Sequence, residues 1–200
     1  MILYQKKEKI FPSYIDIDGK LYLINADFRN ILRIFAILKD MKVPEDKRVE
    51  KLAAWFFVDV ENIKLPYDTA IKSFLDFINP THPSRRAEGV APYEEQETER
   101  QFCYDFDAEE IYAGFLSEYG IDLVEAEFLH WYKFKILLGN LSGESAFKKK
   151  IELRFMDLSH FTGKSLADMA KTKESVQLPI EYSDDELREI NEFEGVWGRL

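Results

Sequence analysis

Set on a helical repeat, residues 123–138 leave almost no polar face, because Phe128, Leu129, Trp131, Tyr132, Phe134, Ile136, Leu137 and Leu138 crowd it on nearly all sides. A helix with so little polar surface belongs at the centre of a fold or in an interface between chains. The spacing predicts one helix over 123–138. Asp122 and Glu125 stand at capping-box separation at its start, with Asp in the place of the usual Ser or Thr.

The rest of the chain reads as one-sided helices preceded by a hairpin. Tyr14-Ile15-Asp16-Ile17 and Lys20-Leu21-Tyr22-Leu23 flank Asp18-Gly19, a pair suited to the positive φ angles of a type I′ turn, so a β-hairpin is expected over 14–23. Asn25 and Asp27 offer cap oxygens before a stripe of Phe28, Ile31, Leu32, Phe35 and Leu38. Pro44 suits the first turn of a second helix carrying Val49, Leu52, Ala53, Phe56 and Phe57, and a third follows Pro66 with Ile71, Phe74, Leu75 and Ile78 inward. Asp107 is placed to cap a helix bearing Ile111, Tyr112, Phe115, Leu116 and Tyr119, which Gly120 ends. Residues 142–158 read as another, with Phe147, Ile151, Arg154, Phe155 and Leu158 roughly on one side, and lysine-flanked turns are expected around Gly163 and around 171–173.

Two acidic stretches interrupt this pattern. Pro80, Pro83, Gly89 and Pro92 break any periodicity beside Glu94, Glu95, Glu97 and Glu99, so 79–103 reads as a solvated loop or linker, with an acidic docking segment as the alternative. After Pro179, Ser183 and Glu186 again have capping-box spacing. They open a short amphipathic helix with Leu187, Ile190, Phe193 and Trp197 on an acidic background. It is expected either to pack back on the body or to dock in a partner's groove. The expected architecture is therefore mainly α: a compact helical domain over 1–178 with an N-terminal β-hairpin, six or so helices in two halves divided by the acidic loop, and an acidic tail over 179–200.

Composition narrows what such a domain does. At 200 residues with 46% hydrophobic and 14% aromatic residues, it can bury about two-thirds or more of its unfolded surface and needs no staple. A net charge of -10 opposes a role in nucleic-acid binding, which draws its affinity from Lys and Arg on phosphates, and favours basic protein partners. His130-Trp131-Tyr132-Lys133-Phe134-Lys135 mixes aromatics with bases, but on a helix these residues point in different directions. Cys103 is the only cysteine, so no intrachain disulfide forms and a reducing compartment is expected. The N-terminal residues lack the charge-then-apolar order of a signal peptide. No apolar run reaches the roughly 18 residues of a membrane helix, and no membrane role is expected.

The strongest constellation for chemistry is a pair of carboxylate-histidine steps, Glu127 with His130 and Asp157 with His160. At i, i+3 on helices, such pairs form part of a di-iron four-helix site. The remaining bridging carboxylates could be nominated only by convenience, as Glu50 and Glu110, and His130 reads more simply as a core or interface histidine. Cys103 has no basic neighbour to lower its pKa, and there is no G-x-S-x-G, P-loop or dinucleotide fingerprint. No catalytic, cofactor-binding or metal residue is nominated, no cofactor is expected, and the chain is read as a non-enzyme.

Three blocks carry a resemblance. They are Asn25-Ala26-Asp27-Phe28-Arg29-Asn30-Ile31-Leu32-Arg33; Tyr104-Asp105-Phe106-Asp107 continuing to Tyr119-Gly120-Ile121-Asp122-Leu123 and Phe128-Leu129-His130-Trp131-Tyr132-Lys133-Phe134; and Arg154-Phe155-Met156-Asp157-Leu158-Ser159. Across about residues 22–160 the chain resembles the bacteriophage gene-product-fifteen family, except that its acidic C-terminus replaces the basic ending of that pattern. The resemblance implies a tail-morphogenesis protein of phages and prophages of Gram-positive bacteria, acting in the host cytoplasm. By the position of that family's genes it implies a tail assembly chaperone binding the tape-measure protein. The alternatives are a tail or head-tail connector component kept in the virion and, remotely, a di-metal enzyme. Trp131, Tyr132, Phe134, Leu187, Ile190, Phe193 and Trp197 are the candidate partner-binding residues. Self-association is expected, because Trp131, Trp197 and the Phe stripes are hard to bury all at once.

Overall fold

The computed structural model describes residues 10–58, 66–79 and 101–179; most of the acidic loop and nearly all of the acidic tail, with Leu187, Ile190, Phe193 and Trp197, lie outside them. Strands β1 (Tyr14–Ile17) and β2 (Lys20–Leu23) pair antiparallel in the register Tyr14↔Leu23 to Ile17↔Lys20. Asp18 and Gly19 take the left-handed conformation at the turn, with φ of 52° and 80°, as the type I′ reading requires. Seven helices follow among the described residues: α1 (Phe28–Lys39), α2 (Glu45–Phe56), α3 (Tyr67–Ile78), α4 (Ala108–Tyr119), α5 (Trp131–Gly139), α6 (Ala146–Phe155) and α7 (Gly163–Ser175). The protein is mainly α with an N-terminal hairpin.

α2 packs on both α1 and α3, and α4 packs on α6. The short α5 touches both α1 and α4, so it sits where the two sets of helices meet. Its Phe134 is the hub of the core, with its ring centroid 4.6 Å from Phe28 on α1, 5.2 Å from Phe115 on α4 and 5.8 Å from Trp131 on its own helix. One apolar cluster runs without a break from Ile24 and Ile31 through Phe56 and Phe74 to Phe115 and Phe147. The aromatic richness of the composition is thus spent largely inside, and offset or edge-to-face rings at these spacings stabilise beyond the area they bury.

Local signals set several ends as expected. Asp27 caps α1 by accepting from Arg29 N. Ser145 caps α6 by accepting from Lys148 N. Gly120, at φ 62°, closes α4 with its N–H on Leu116 O.

Four expectations are corrected. The helix over 123–138 begins only at Trp131. Asp122 Oδ1 accepts from Val124 N and Glu125 N, and with Ala126 N on Asp122 O this makes a single turn. The chain then straightens to pair with the segment before α1: Phe28 N donates to Leu129 O at 2.9 Å, and Trp131 N donates to Ala26 O at 2.7 Å. Those long-range backbone bonds satisfy groups that a longer helix would have satisfied internally. The helix over 142–158 is shorter, Ala146–Phe155, because Ser145 supplies its cap. The turns expected around Gly163 and 171–173 are instead the continuous helix α7, whose Leu166, Met169, Ala170 and Lys173 have helical spacing that the polar residues between them masked. Asp107 precedes α4 but makes no cap hydrogen bond.

Candidate functional site

Asp107 is fully buried, and its carboxylate is turned away from the helix it precedes towards α6. Arg154 meets it with two nitrogens: Nη1 donates to Oδ2 at 2.8 Å, and Nη2 donates to Oδ1. Lys150, one turn earlier on α6, reaches Oδ1 at 3.1 Å and Glu110 at 2.7 Å, while Cys103 N donates to Oδ2 at 3.0 Å. The same guanidinium donates onward to Gln101 O and Val176 O. One buried knot thereby ties the segment before α4, α6 itself and the chain leaving α7. Burial pushes the Asp107 carboxyl up. Arg154, the Cys103 amide and Lys150 outweigh it and hold the group below its ordinary 3.8. Both oxygens are fully engaged, so the carboxylate has no lone pair aimed at solvent for proton transfer.

A second tie joins α1 to α5. Asp27 accepts from Arg29 N and Arg29 Nε on Oδ1, and from Arg29 Nη2 and Leu129 N on Oδ2. Burial again raises this carboxyl, and Arg29 with the two backbone amides lowers it further than burial lifts it. Next to it His130 is buried and caps α5: its Nδ1 accepts from Tyr132 N at 3.1 Å. With Nδ1 accepting, the neutral ring carries its proton on Nε2, 3.1 Å from Pro12 O. The Asp27 tie opens outward into a cleft of about 420 Å³ that is lined by Asn25, Arg29, Asn30, Arg33, Glu127 and Phe128. In it the Arg33 guanidinium lies 3.7 Å over the Trp55 ring.

Trp131 and Phe134 of the candidate partner-binding set are buried in the core, where no partner reaches them without unpacking it. Tyr132 is half-buried and stacked on Phe77, with its hydroxyl donating to Phe77 O; burial pushes that hydroxyl up to about 12. Lys135 donates to Ile78 O, so two side chains of α5 close the C-terminal end of α3 just before the acidic loop. Neither carboxylate-histidine pair lies on a helix. Glu127 and His130 belong to the extended approach to α5, and Asp157 and His160 to the turn between α6 and α7, where Asp157 binds Ser159. Glu50 pairs with Lys47 and Glu110 with Lys150. Among the described residues no group of three or more His, Cys, Asp or Glu is placed to hold a metal ion, and no helix is long and apolar enough to cross a membrane.

The residues that sequence reasoning missed are Asp107 and Arg154 as partners. The available signal was Arg154 within an apolar stripe, since a buried Arg requires a partner and Asp107 was the acid at the head of a neighbouring helix. All three blocks of the resemblance supply these ties: Asp27 and Arg29 from the first, Asp107 and His130 from the second, Arg154 from the third.

Fold and site together define a mainly α-helical protein whose central acids and bases are committed to joining its own segments. The chain belongs to the Bacteriophage Gp15 protein family, whose sequence profile matches residues 7–178. It is thus a phage protein. No curated protein and no solved structure matches it.

Proposed function

We propose that the chain is a phage tail-assembly protein, a chaperone that binds the tape-measure protein in the host cytoplasm before that protein enters the tail. Membership of the Bacteriophage Gp15 protein family over residues 7–178 carries this reading. The committed state of Asp27, Asp107 and Arg154 supports a scaffold role over chemistry at those groups. Among the exposed apolar side chains, Val124 is 71% exposed and Phe128 58% in the approach to α5, with Ile136 on α5 and Leu116 on α4 also exposed. A tape-measure chain is a long helix with apolar stripes, and such side chains suit an amphipathic helix as a partner. Self-association through the same side chains is part of the proposal.

Co-expression with the neighbouring tape-measure protein and a pull-down tests it. A soluble complex is expected, weakened by Phe128→Asp with Val124→Asp; no complex, together with no gain in tape-measure solubility, would overturn it. Mass spectrometry of purified particles reads the other assignment, a part kept in the virion. The chaperone is expected to be missing from mature tails, and stoichiometric presence would favour the structural component.

A further inference from the structure

On α3, Asp68, Lys72 and Asp76 recur every fourth residue, with Thr69 and Ser73 next to the first two, so these side chains share one side of the helix. The tip of the hairpin stands opposite, and between them lies a cavity of about 360 Å³ that Asp16, Ile17 and Asp18 complete. Its four aspartates against Lys72 leave a formal balance of -3, and among the described residues none of these charged groups is in an ion pair. Asp16 spends one oxygen in the turn, where Oδ1 accepts from Gly19 N at 2.8 Å. Ser73 is the anomaly. It lines the cavity and is only 8% exposed, yet its hydroxyl makes no hydrogen bond among the described residues, not even to the carbonyl one turn back that a helical serine has within reach. A buried hydroxyl without a partner costs stability, and the cavity is the direction from which a partner can reach it.

We propose that this cavity binds a primary alkylammonium group, brought by a lysine side chain of another protein or by a free polyamine. An ammonium carries three diverging donors and no acceptor, which suits a lone hydroxyl together with single carboxylates on two walls. A guanidinium is a planar fork that calls for both oxygens of one carboxylate side by side. Ser73 Oγ accepts one N–H, and the carboxylates of α3 and of the hairpin take the others. A bare metal ion fits less well, because among the described residues no three carboxylates converge closely enough to hold one. A ligand that is itself a chain reaches acceptors that stand apart. Half-buried Ile17 gives its methylenes an apolar wall, and the volume lies within the range of small-ligand sites. Lys72, exposed on the same wall, competes for the same aspartates and so limits the affinity.

Nuclear magnetic resonance titration of the nitrogen-labelled full chain tests this. The probes, at matched ionic strength, are spermidine, the acetylated amide of the peptide Lys-Lys-Lys with the same charge, and tetramethylammonium chloride, which has a charge but no donor. Saturable shifts of the Gly19, Thr69, Ser73 and Asp76 amides are expected with the first two and not with the third. Ser73→Ala, which favours the helix and so keeps α3, should weaken binding about tenfold, the loss of one hydrogen bond to a charged group. Asp76→Asn should weaken it as well, and Lys72→Met should strengthen it. The tighter of the first two probes names the source, free polyamine or protein lysine, and either result supports the site. Shifts that never saturate, an equal response to tetramethylammonium, or a Ser73→Ala chain that binds like the native one would overturn the proposal and leave only general attraction of cations to an acidic surface.

Discussion

Asp27 and Asp107 stand at equivalent places in the chain, each one residue ahead of a helix in a block of the family resemblance, and the fold uses them differently. Asp27 performs the local task its position suggests, capping α1, and adds one bond across to Leu129 at the rim of an open cleft. Asp107 abandons the cap. It is buried under Arg154 and Lys150, partners that lie far along the chain. The first is a tie at the rim, its Arg29 side open to solvent and supported by local geometry, and the second an internal one that depends on three segments arriving together. A charge pair removed from water must be complete or it destabilises, whereas a rim pair can be broken cheaply.

The same substitution on the two cations therefore separates them most sharply. Arg154→Met, which strands the buried Asp107 carboxylate, is expected to cost about 3–5 kcal/mol in urea unfolding, and Asp107→Leu in that background to recover much of it. Recovery would show that the uncompensated charge, more than lost packing, is what destabilises. Asp27→Ala comes next: a lost cap and a lost bond to Leu129 N should cost about 2 kcal/mol by the same measurement. Arg29→Met, with its side chain 40% exposed, is expected to cost under about 1 kcal/mol. If it matched Arg154→Met, the distinction between rim and interior would fail.

Acid provides the finest comparison. Both carboxyls titrate below their ordinary 3.8 in the folded chain. Their contribution is therefore complete well above that value, begins to fall as pH approaches it, and is lost as pH drops through the folded values. Between pH 5 and pH 4 each therefore adds to the fall in stability as the unfolded chain begins to take up protons. Unfolding curves of Asp27→Asn and Asp107→Asn across that interval should each show a shallower slope than the native chain, and an unchanged slope in either would remove that group from the acid response.

Much of the outline was legible from local chemistry. The Asp18-Gly19 turn, the Asp27 cap, the Gly120 stop and most of the stripes of α1 to α4 depend on residues within a turn or two of one another, although Leu75, expected inward, and Leu116 are exposed. The starts of α5 and α6 and the whole of α7 were misjudged. The apolar run ahead of Trp131 satisfies a helical pattern but is held extended by Ala26 and Phe28, and the polar residues of α7 hid a stripe of only Leu166, Met169, Ala170 and Lys173. Of the candidate partner residues, Trp131 and Phe134 lie inside, where the fold uses them to build the core.

The sequence by itself determined a mainly helical chain with a hairpin at its head, a core rich in aromatic rings and membership of a phage family, because periodicity, turn residues and motifs are properties of neighbours along the chain. Only the tertiary structure decided that Asp107 belongs to Arg154, that His130 closes a backbone bridge to the segment before α1, and that α7 stands without a buried side. Those outcomes depend on which distant groups reach each other once water is excluded, where unpaired charges and amides are too costly to leave and any partner within reach is taken.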